Sequence, residues 1–220
     1  GYTREIPRSQ KVKAPIPRVV HMFWMGENPP SPSRSLSMIV SIRELYPEKT
    51  CLWLVNEQDP ARYQKDPLWA FLVKMPGVEC HIIGELLLLK DPIREAIRGG
   101  TIPPATSSDM VRYAILLEHG GCWLDTDVIP LGDTLWKTTG ISGRDIWTAT
   151  AEDADIVLGL EKYLHTLTQD GGVRLERGSQ AEIAILLARP GNEIFSYLLE
   201  EASRLVESNS VVPIKELNEP

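Results

Sequence analysis

The chain has 220 residues, 43% of them hydrophobic and 24% charged, proportions that exclude disordered, collagenous and coiled-coil classes. Its net charge of −7, from 23 Lys and Arg against 30 Asp and Glu, argues against a nucleic-acid binder. No apolar run approaches the ~20 residues of a membrane-spanning helix, and the length suffices for a core without disulfide or metal staples.

Residues 1–15 form a basic leader, in which Arg4, Arg8, Lys11 and Lys13 face only Glu5, read as solvated chain. Residues 16–220 read as a single domain. Val19 to Trp24 is a short apolar run closed by Gly26, a strand. Pro29 to Ser35 reads as a Pro/Ser-rich loop. Ser35 to Leu45 has helical spacing through Leu36, Ile39 and Val40 and stops before Pro47. Cys51 to Val55 is a second strand, with turn residues Asn56 and Asp59 behind it. Pro67 to Lys74 is a helix and Val78 to Ile83 a third strand. Asp91 to Arg98 is a helix ended by Gly99-Gly100.

The best-formed helix follows. Ser107 or Ser108 caps it, Asp109 sits in its first turn, and Val111, Ala114, Ile115 and Leu116 make its apolar stripe. Gly120-Gly121 ends it, and Cys122 to Leu124 is a short strand running into Asp125-Thr126-Asp127. Ile146 to Thr150 and Ile156 to Leu160 are weaker strands. Ile183 to Ala188 is either a strand or a buried helix, which periodicity does not decide. Glu193 to Glu207 is an amphipathic helix carrying Ile194, Leu198, Leu199 and Leu205. Strands alternating with helices predict an α/β fold whose sheet is largely parallel.

The sharpest chemical feature is the pair Asp125 and Asp127. Side chains at i and i+2 of an extended segment point the same way, so both carboxylates can face the crevice at a strand end. Such a pair suits a hard divalent ion that also holds substrate phosphates; the bland alternative is a turn in which Asp binds local backbone N–H groups. Asp109 and Arg112 share a helix face, either as a local ion pair or as crevice groups for anionic and hydroxyl-rich ligands. Trp24, at a strand end before Gly26, is either core or a flat surface for stacking a base.

Cys51, Cys80 and Cys122 are odd in number and widely spaced among apolar neighbours, as befits buried reduced thiols. His21, His81, His119 and His165 are scattered, and none stands at metal-ligand spacing from a Cys or a second His. His21, in an alternating strand, reads as a hydrogen-bonded core residue. No phosphate-binding Gly-rich loop and no nucleophile elbow is present.

"IPRVVHMFWMG" and "SSDMVRYAILLEHGGCWLDTDVIPL", in this order, resemble the Asp-x-Asp glycosyltransferases with a sugar-binding region. That group includes the initiating mannosyltransferases and the glucosyltransferase domains of large clostridial toxins. The match spans residues 16 to 131, with weaker similarity in "ARPGNEIF". The resemblance implies a GT-A-type nucleotide-sugar fold, Mn²⁺ or Mg²⁺, and sugar transfer with retention to a hydroxyl acceptor, a glycan or a protein side chain. It implies that Trp24 stacks on the base with Phe23 and Met25 beside it. Ser108, Asp109 and Arg112 would bind ribose and donor sugar, and Trp123 would pack under the sugar. Asp125 would contact sugar or ribose and the ion, and Asp127 would ligate the ion.

The wording "HMFWMG" lies nearer the toxin type, which favours a UDP-sugar over GDP-mannose. With the free thiols, this favours the cytosol, or a host cytosol after delivery. Two departures stand out. Ile183 occupies a place where many relatives carry Asn, and no Trp follows Trp147, although toxin-type enzymes draw contacts from a C-terminal Ser/Trp loop; a chain trimmed at its C-terminus is the corresponding expectation. Three alternatives remain open: a glycan-building mannosyl- or galactosyltransferase, a non-catalytic donor-binding module, and a haloacid-dehalogenase-type phosphatase. The last would read "DTDV" with Asp125 as nucleophile and Asp127 as acid/base.

Overall fold

The computed structural model describes residues 16–129, 156–167 and 173–208, with side-chain surroundings for 16–129 and 184–208. The leader, the Ile146 to Thr150 strand and the end of the chain fall outside the described residues. The elements run β1 (Val19–Phe23), α1 (Pro32–Leu45), β2 (Lys49–Leu54), α2 (Asp59–Tyr63), α3 (Pro67–Leu72), β3 (Val78–Ile82), a 3₁₀ turn (Ile83–Glu85), α4 (Asp91–Arg98), α5 (Pro104–His119), β4 (Gly121–Leu124), β5 (Ile156–Leu167), β6 (Val173–Ala188) and α6 (Glu193–Glu207).

The sheet order is β3-β2-β1-β4-β6-β5. The first four strands are parallel; β6 runs antiparallel to β4, and β5 antiparallel to β6. This is the expected α/β architecture, a mixed and largely parallel sheet flanked by helices. The Ile183 to Ala188 ambiguity resolves as strand. Its backbone pairs with both neighbours, which a helix could not do.

Side chains alternate across the strands, so the sheet makes two cores. Phe23, Cys51, Trp53, Val55 and Trp123 face one side and pack with α4, α5 and α6 through Ile93, Ile97, Val111, Ile115, Phe195 and Leu199. Val20, Met22, Leu52, Leu54, Cys122 and Leu124 face the other and pack with α1 and α3 through Met38, Ile42, Leu45, Trp69 and Leu72. Burying both faces explains why the strands read as near-continuous apolar runs.

His21 lies on the α5 side, 1% exposed. Its Nε2–H donates to the Gly120 carbonyl at 2.9 Å, and Trp53 Nε1–H donates to its Nδ1 at 3.1 Å. Both ring nitrogens are thus spent inside the core. Burial pulls the imidazole down to about 3, against the pull of the Gly120 carbonyl.

Several local expectations need correction. Pro29 to Ser35 is not all loop: α1 starts at Pro32, because Ser31 caps it by accepting the Arg34 N–H and proline suits the first turn. The buried positions of α1 are Ser35, Met38, Ile39, Ser41, Ile42 and Leu45, whereas Leu36 and Val40 are exposed. Likewise α6 buries Phe195, Leu199 and Ser203 and exposes Ile194 and Leu205. Helix α5 starts at Pro104, a turn before the expected Ser caps, which places Ser107, Ser108 and Asp109 inside it. Pro104 needs no hydrogen-bond partner at that position, so the helix extends to it. Cys51 and Cys122 are buried but Cys80 is only partly so, and all three are free thiols.

Candidate active site

In an open α/β sheet, ligands sit beyond the strand carboxyl ends where the winding direction reverses. Here the chain winds from β1 outward through β2 to β3 and then returns to the far side of β1 as β4, so the reversal lies between β1 and β4. A cavity of about 560 Å³ opens there. That volume falls within the ~300–1,000 Å³ of small-molecule sites.

Four segments of the chain supply its walls, one of them α1 through Arg34. Phe23, Trp24 and Met25 come from the end of β1. Helix α5 contributes Ala105, Ser108, Asp109 and Arg112, spaced so that they share one helical face. Trp123, Asp125, Thr126 and Asp127 come from β4 and the turn after it. Every residue expected to bind donor or metal therefore borders this one cavity.

The junction between α5 and β4 depends on two glycines. Gly120 and Gly121 have φ of 65° and 101°, and a Cβ on Gly121 would meet the Val19 carbonyl oxygen at 2.6 Å. Only glycine allows the helix to turn at once into a strand beside β1, and that turn delivers Asp125 to the cavity.

Arg112 forms the local ion pair with Asp109 and also borders the cavity. It is 3% exposed; its Nη1 lies 3.5 Å from Asp109 Oδ1, and its Nη2 donates to Asp125 Oδ1 at 2.9 Å. Its guanidinium lies 4.9 Å from the centroid of the Trp123 ring, and Trp123 Nε1–H donates to the same Asp125 oxygen at 2.7 Å. Asp125 is thereby fixed in orientation. Burial nevertheless holds its carboxyl above the usual range, against the opposing pull of Arg112 and Trp123. Burial raises Asp109 as well, although Arg112 opposes it. Burial thus disfavours the charged form of both carboxylates, and a further cation in the cavity would favour it.

Asp125 and Asp127 do not reach the cavity on an extended strand. Strand β4 ends at Leu124, and Thr126 and Asp127 form a turn closed by the Val128 N–H donating to the Asp125 carbonyl. Asp127 is the more open carboxylate, its side chain 59% exposed. Two hard oxygen donors at the rim, one pinned and one open, fit a divalent ion that takes its remaining ligands from phosphates and water.

Trp24 is only partly buried: it packs against the edge of the α1-side core and also borders the cavity. Its Nε1–H donates to the Asn28 carbonyl at 2.9 Å. Sequence reasoning missed Arg34, which lies 5.7 Å above the Trp24 ring, donates to Thr126 Oγ1 at 2.8 Å and sits 3.5 Å from Asp127. Ser41 Oγ also donates to the Val128 carbonyl, so α1 holds the acidic turn from the side opposite α5. The Ser31-Pro32 helix start was the sequence sign that could have placed Arg34 on an ordered element.

A second group was also missed. Among the described residues, the cluster of three or more metal-ligand side chains whose donor atoms come within 4.8 Å is Cys51, Glu79 and His81. None of the three borders the cavity. Spacing along the chain gives no sign of this group, because strand pairing brings β2 and β3 together.

Among the described residues, no helix is long and apolar enough to cross a membrane. The chain is 25% identical to the Legionella pneumophila protein named subversion of eukaryotic traffic protein A over 142 residues, which cover 63% of this chain and 21% of that protein. It thus aligns with about a fifth of that relative's length. The PaToxG glycosyltransferase superposes with a TM-score of 0.56 at 13% identity, covering 91% of this chain and 67% of that one. The catalytic domain of alpha-toxin from Clostridium novyi gives 0.52 at 12%, covering 92% and 60%. These likenesses show a shared fold, the GT-A type. Over residues 32–145, just over half of its length, the chain matches the glycosyltransferase sugar-binding region containing a DXD motif, and it belongs to that family.

Proposed function

We propose that the chain is a retaining glycosyltransferase that moves a sugar from a nucleotide-sugar, a UDP-sugar by preference, to a hydroxyl acceptor. The observation that carries this reading is the single cavity at the β1/β4 reversal, where an aromatic wall, a helix face with Ser108, Asp109 and Arg112, and the Asp125/Asp127 turn converge. Family membership and the fold shared with toxin transferases support it. The phosphatase reading has no comparable support.

In this proposal Trp24 stacks on the base, with Phe23 and Met25 bounding its edge. Ser108 and Asp109 accept or donate to ribose and sugar hydroxyls. Arg112, held by two carboxylates and the Trp123 ring, presents its planar fork without having to reorganise, which is the condition for electrostatic catalysis. Asp127 and Asp125 would hold Mn²⁺ or Mg²⁺, which supplies Lewis-acid neutralisation of the diphosphate leaving group. Arg34, cationic and beside Asp127, would add charge on the same side. The acceptor in this proposal is a hydroxyl, of a glycan or of a protein side chain.

A screen of UDP- and GDP-sugars by thermal shift, with and without Mn²⁺, tests the donor assignment. Stabilisation follows the logarithm of ligand over Kd, so a binding donor at a hundred times its Kd should add about 2.7 kcal/mol. Metal-dependent stabilisation by UDP-sugars is expected; none by any nucleotide-sugar would overturn the reading. Labelling of lysate proteins with the donor that binds then separates a protein acceptor from a glycan.

A further inference from the structure

The edge of the sheet opposite the β5 side carries chemistry that the donor cavity does not use. Cys51 on β2 is in register with Glu79 on β3, and Trp53 with His81. Residues paired in register, and those two apart on one strand, share a face, so Cys51, Glu79 and His81 project on the same side of the sheet. Their donor atoms lie within 4.8 Å of one another. Zinc bonds of ~2.0–2.3 Å require ligand atoms closer than this, a contraction that side-chain rotation can supply.

We propose that Cys51 Sγ, Glu79 and His81 Nε2 bind one zinc ion, with water in the fourth position. A thiolate and an imidazole select a soft or borderline ion, in contrast to the all-oxygen pair at Asp125 and Asp127. A second geometric feature supports it. His81 Nε2 lies 3.1 Å from Glu79 Oε2, while its Nδ1 is 2.7 Å from Glu85 Oε2. A carboxylate on the far nitrogen fixes the tautomer that leaves Nε2 free for a metal, the usual arrangement behind a metal-bound histidine. The Trp53 ring, 5.0 Å from His81, walls the site on the β1 side, and His119 lies beyond it, 5.5 Å from Trp53.

Cys51 is buried, whereas Glu79 is exposed and His81 half-buried, so the ion has a route in and room for water. One group competes: Lys49 Nζ lies 2.7 Å from the same Glu79 oxygen. The ion would displace that ammonium, and binding would release the Cys51 thiol proton. Occupancy would tie edge strand β3 to β2 and, through Glu85, to the 3₁₀ turn.

The test is titration of the full chain, stripped with chelator, using Co²⁺ read by absorbance and Zn²⁺ read against a chromogenic competitor. The expected result is one equivalent bound with a near-ultraviolet thiolate-to-cobalt band, any Co²⁺ at the all-oxygen Asp125/Asp127 pair giving none; the band disappears in Cys51→Ala and persists in Cys80→Ser, since Cys80 faces the opposite core. Glu85→Gln should weaken zinc by roughly 10- to 100-fold, and Lys49→Met should strengthen it. Should Cys51→Ala fail to fold, as judged by circular dichroism, His81→Asn at its half-buried position carries the same test. The absence of a charge-transfer band in the full chain, its survival in Cys51→Ala, or a zinc affinity unchanged by both His81→Asn and Glu79→Gln overturns the site.

Discussion

The two regions proposed to hold a cation differ in hardness, in burial and in how the chain assembles them. At the β1/β4 reversal, oxygen donors only two residues apart lie at one turn, Asp125 pinned by Arg112 and Trp123 and Asp127 open. At the β2–β3 edge, a sulfur, a nitrogen and a carboxylate come from two strands and meet only through register. The first site is written contiguously and is visible as a motif. The second exists only once the sheet is formed. Sequence proximity and spatial proximity are separate sources of chemistry, and a parallel sheet produces the second kind wherever two strands carry ligands at paired positions.

The comparison breaks most sharply at the glycines, which the first region needs and the second does not. Gly121→Ala should destabilise the chain by about 2–6 kcal/mol, from overpacking against the Val19 carbonyl added to strain at φ of 101°. Urea unfolding checks this, and a change below about 1 kcal/mol would mean the backbone relaxes easily at this point.

Arg112→Lys probes whether the pinning of Asp125 matters for turnover. Lysine keeps the charge but loses the planar fork that spans Asp109 and Asp125. We expect a fall of at least roughly 100-fold in kcat/KM, about 2.7 kcal/mol of transition-state stabilisation. Near-wild-type kinetics would reduce Arg112 to a structural ion pair.

Trp24→Ala should weaken UDP-sugar binding by about 1–3 kcal/mol, with Trp24→Phe recovering most of it. Because Trp24 is only partly buried, unfolding midpoints should move far less than the ~3–5 kcal/mol expected for removal of a core Trp. Loss of the fold without selective loss of donor affinity would return Trp24 to the core.

The smallest expected effect concerns His21, which lies in the core between the two regions. Its folded-state pKa is depressed from 6.5 to about 3, so its contribution to stability is present above 6.5 and is lost as pH falls toward 3. Between pH 6.5 and about pH 5 that loss amounts to about 1–2 kcal/mol. His21→Gln should be less stable at neutral pH yet show a shallower acid slope. An equal slope in both proteins would place the acid sensitivity elsewhere.

What the sequence made legible follows from the same comparison. Strands β1, β2 and β4 and helices α4 and α6 were readable because apolar runs, Pro and Gly mark them locally. The residues that line the cavity were named in the sequence because motif segments at strand ends are carried to the reversal point by the winding of the sheet. Arg34 was not, because a run of Pro and Ser looks like a loop until Ser31 is seen to cap a helix. The exposed faces of α1 and α6 were misassigned because each helix buries small polar residues, Ser35 and Ser41 in one and Ser203 in the other, and leaves larger apolar ones outside. The antiparallel pairing of β6 with β4 was not readable either, since strand direction is set by connections and not by composition.

Isothermal titration of a UDP-sugar, with and without Mn²⁺, into the wild-type chain and Asp127→Asn tests the central claim most directly. Asp127 is the open carboxylate of the turn, its side chain 59% exposed, so its amide should leave the fold intact. The account predicts Mn²⁺-dependent binding in the wild type and none in Asp127→Asn, while Co²⁺ binding at Cys51 is unchanged in both. Full Mn²⁺-dependent donor binding by Asp127→Asn would contradict it.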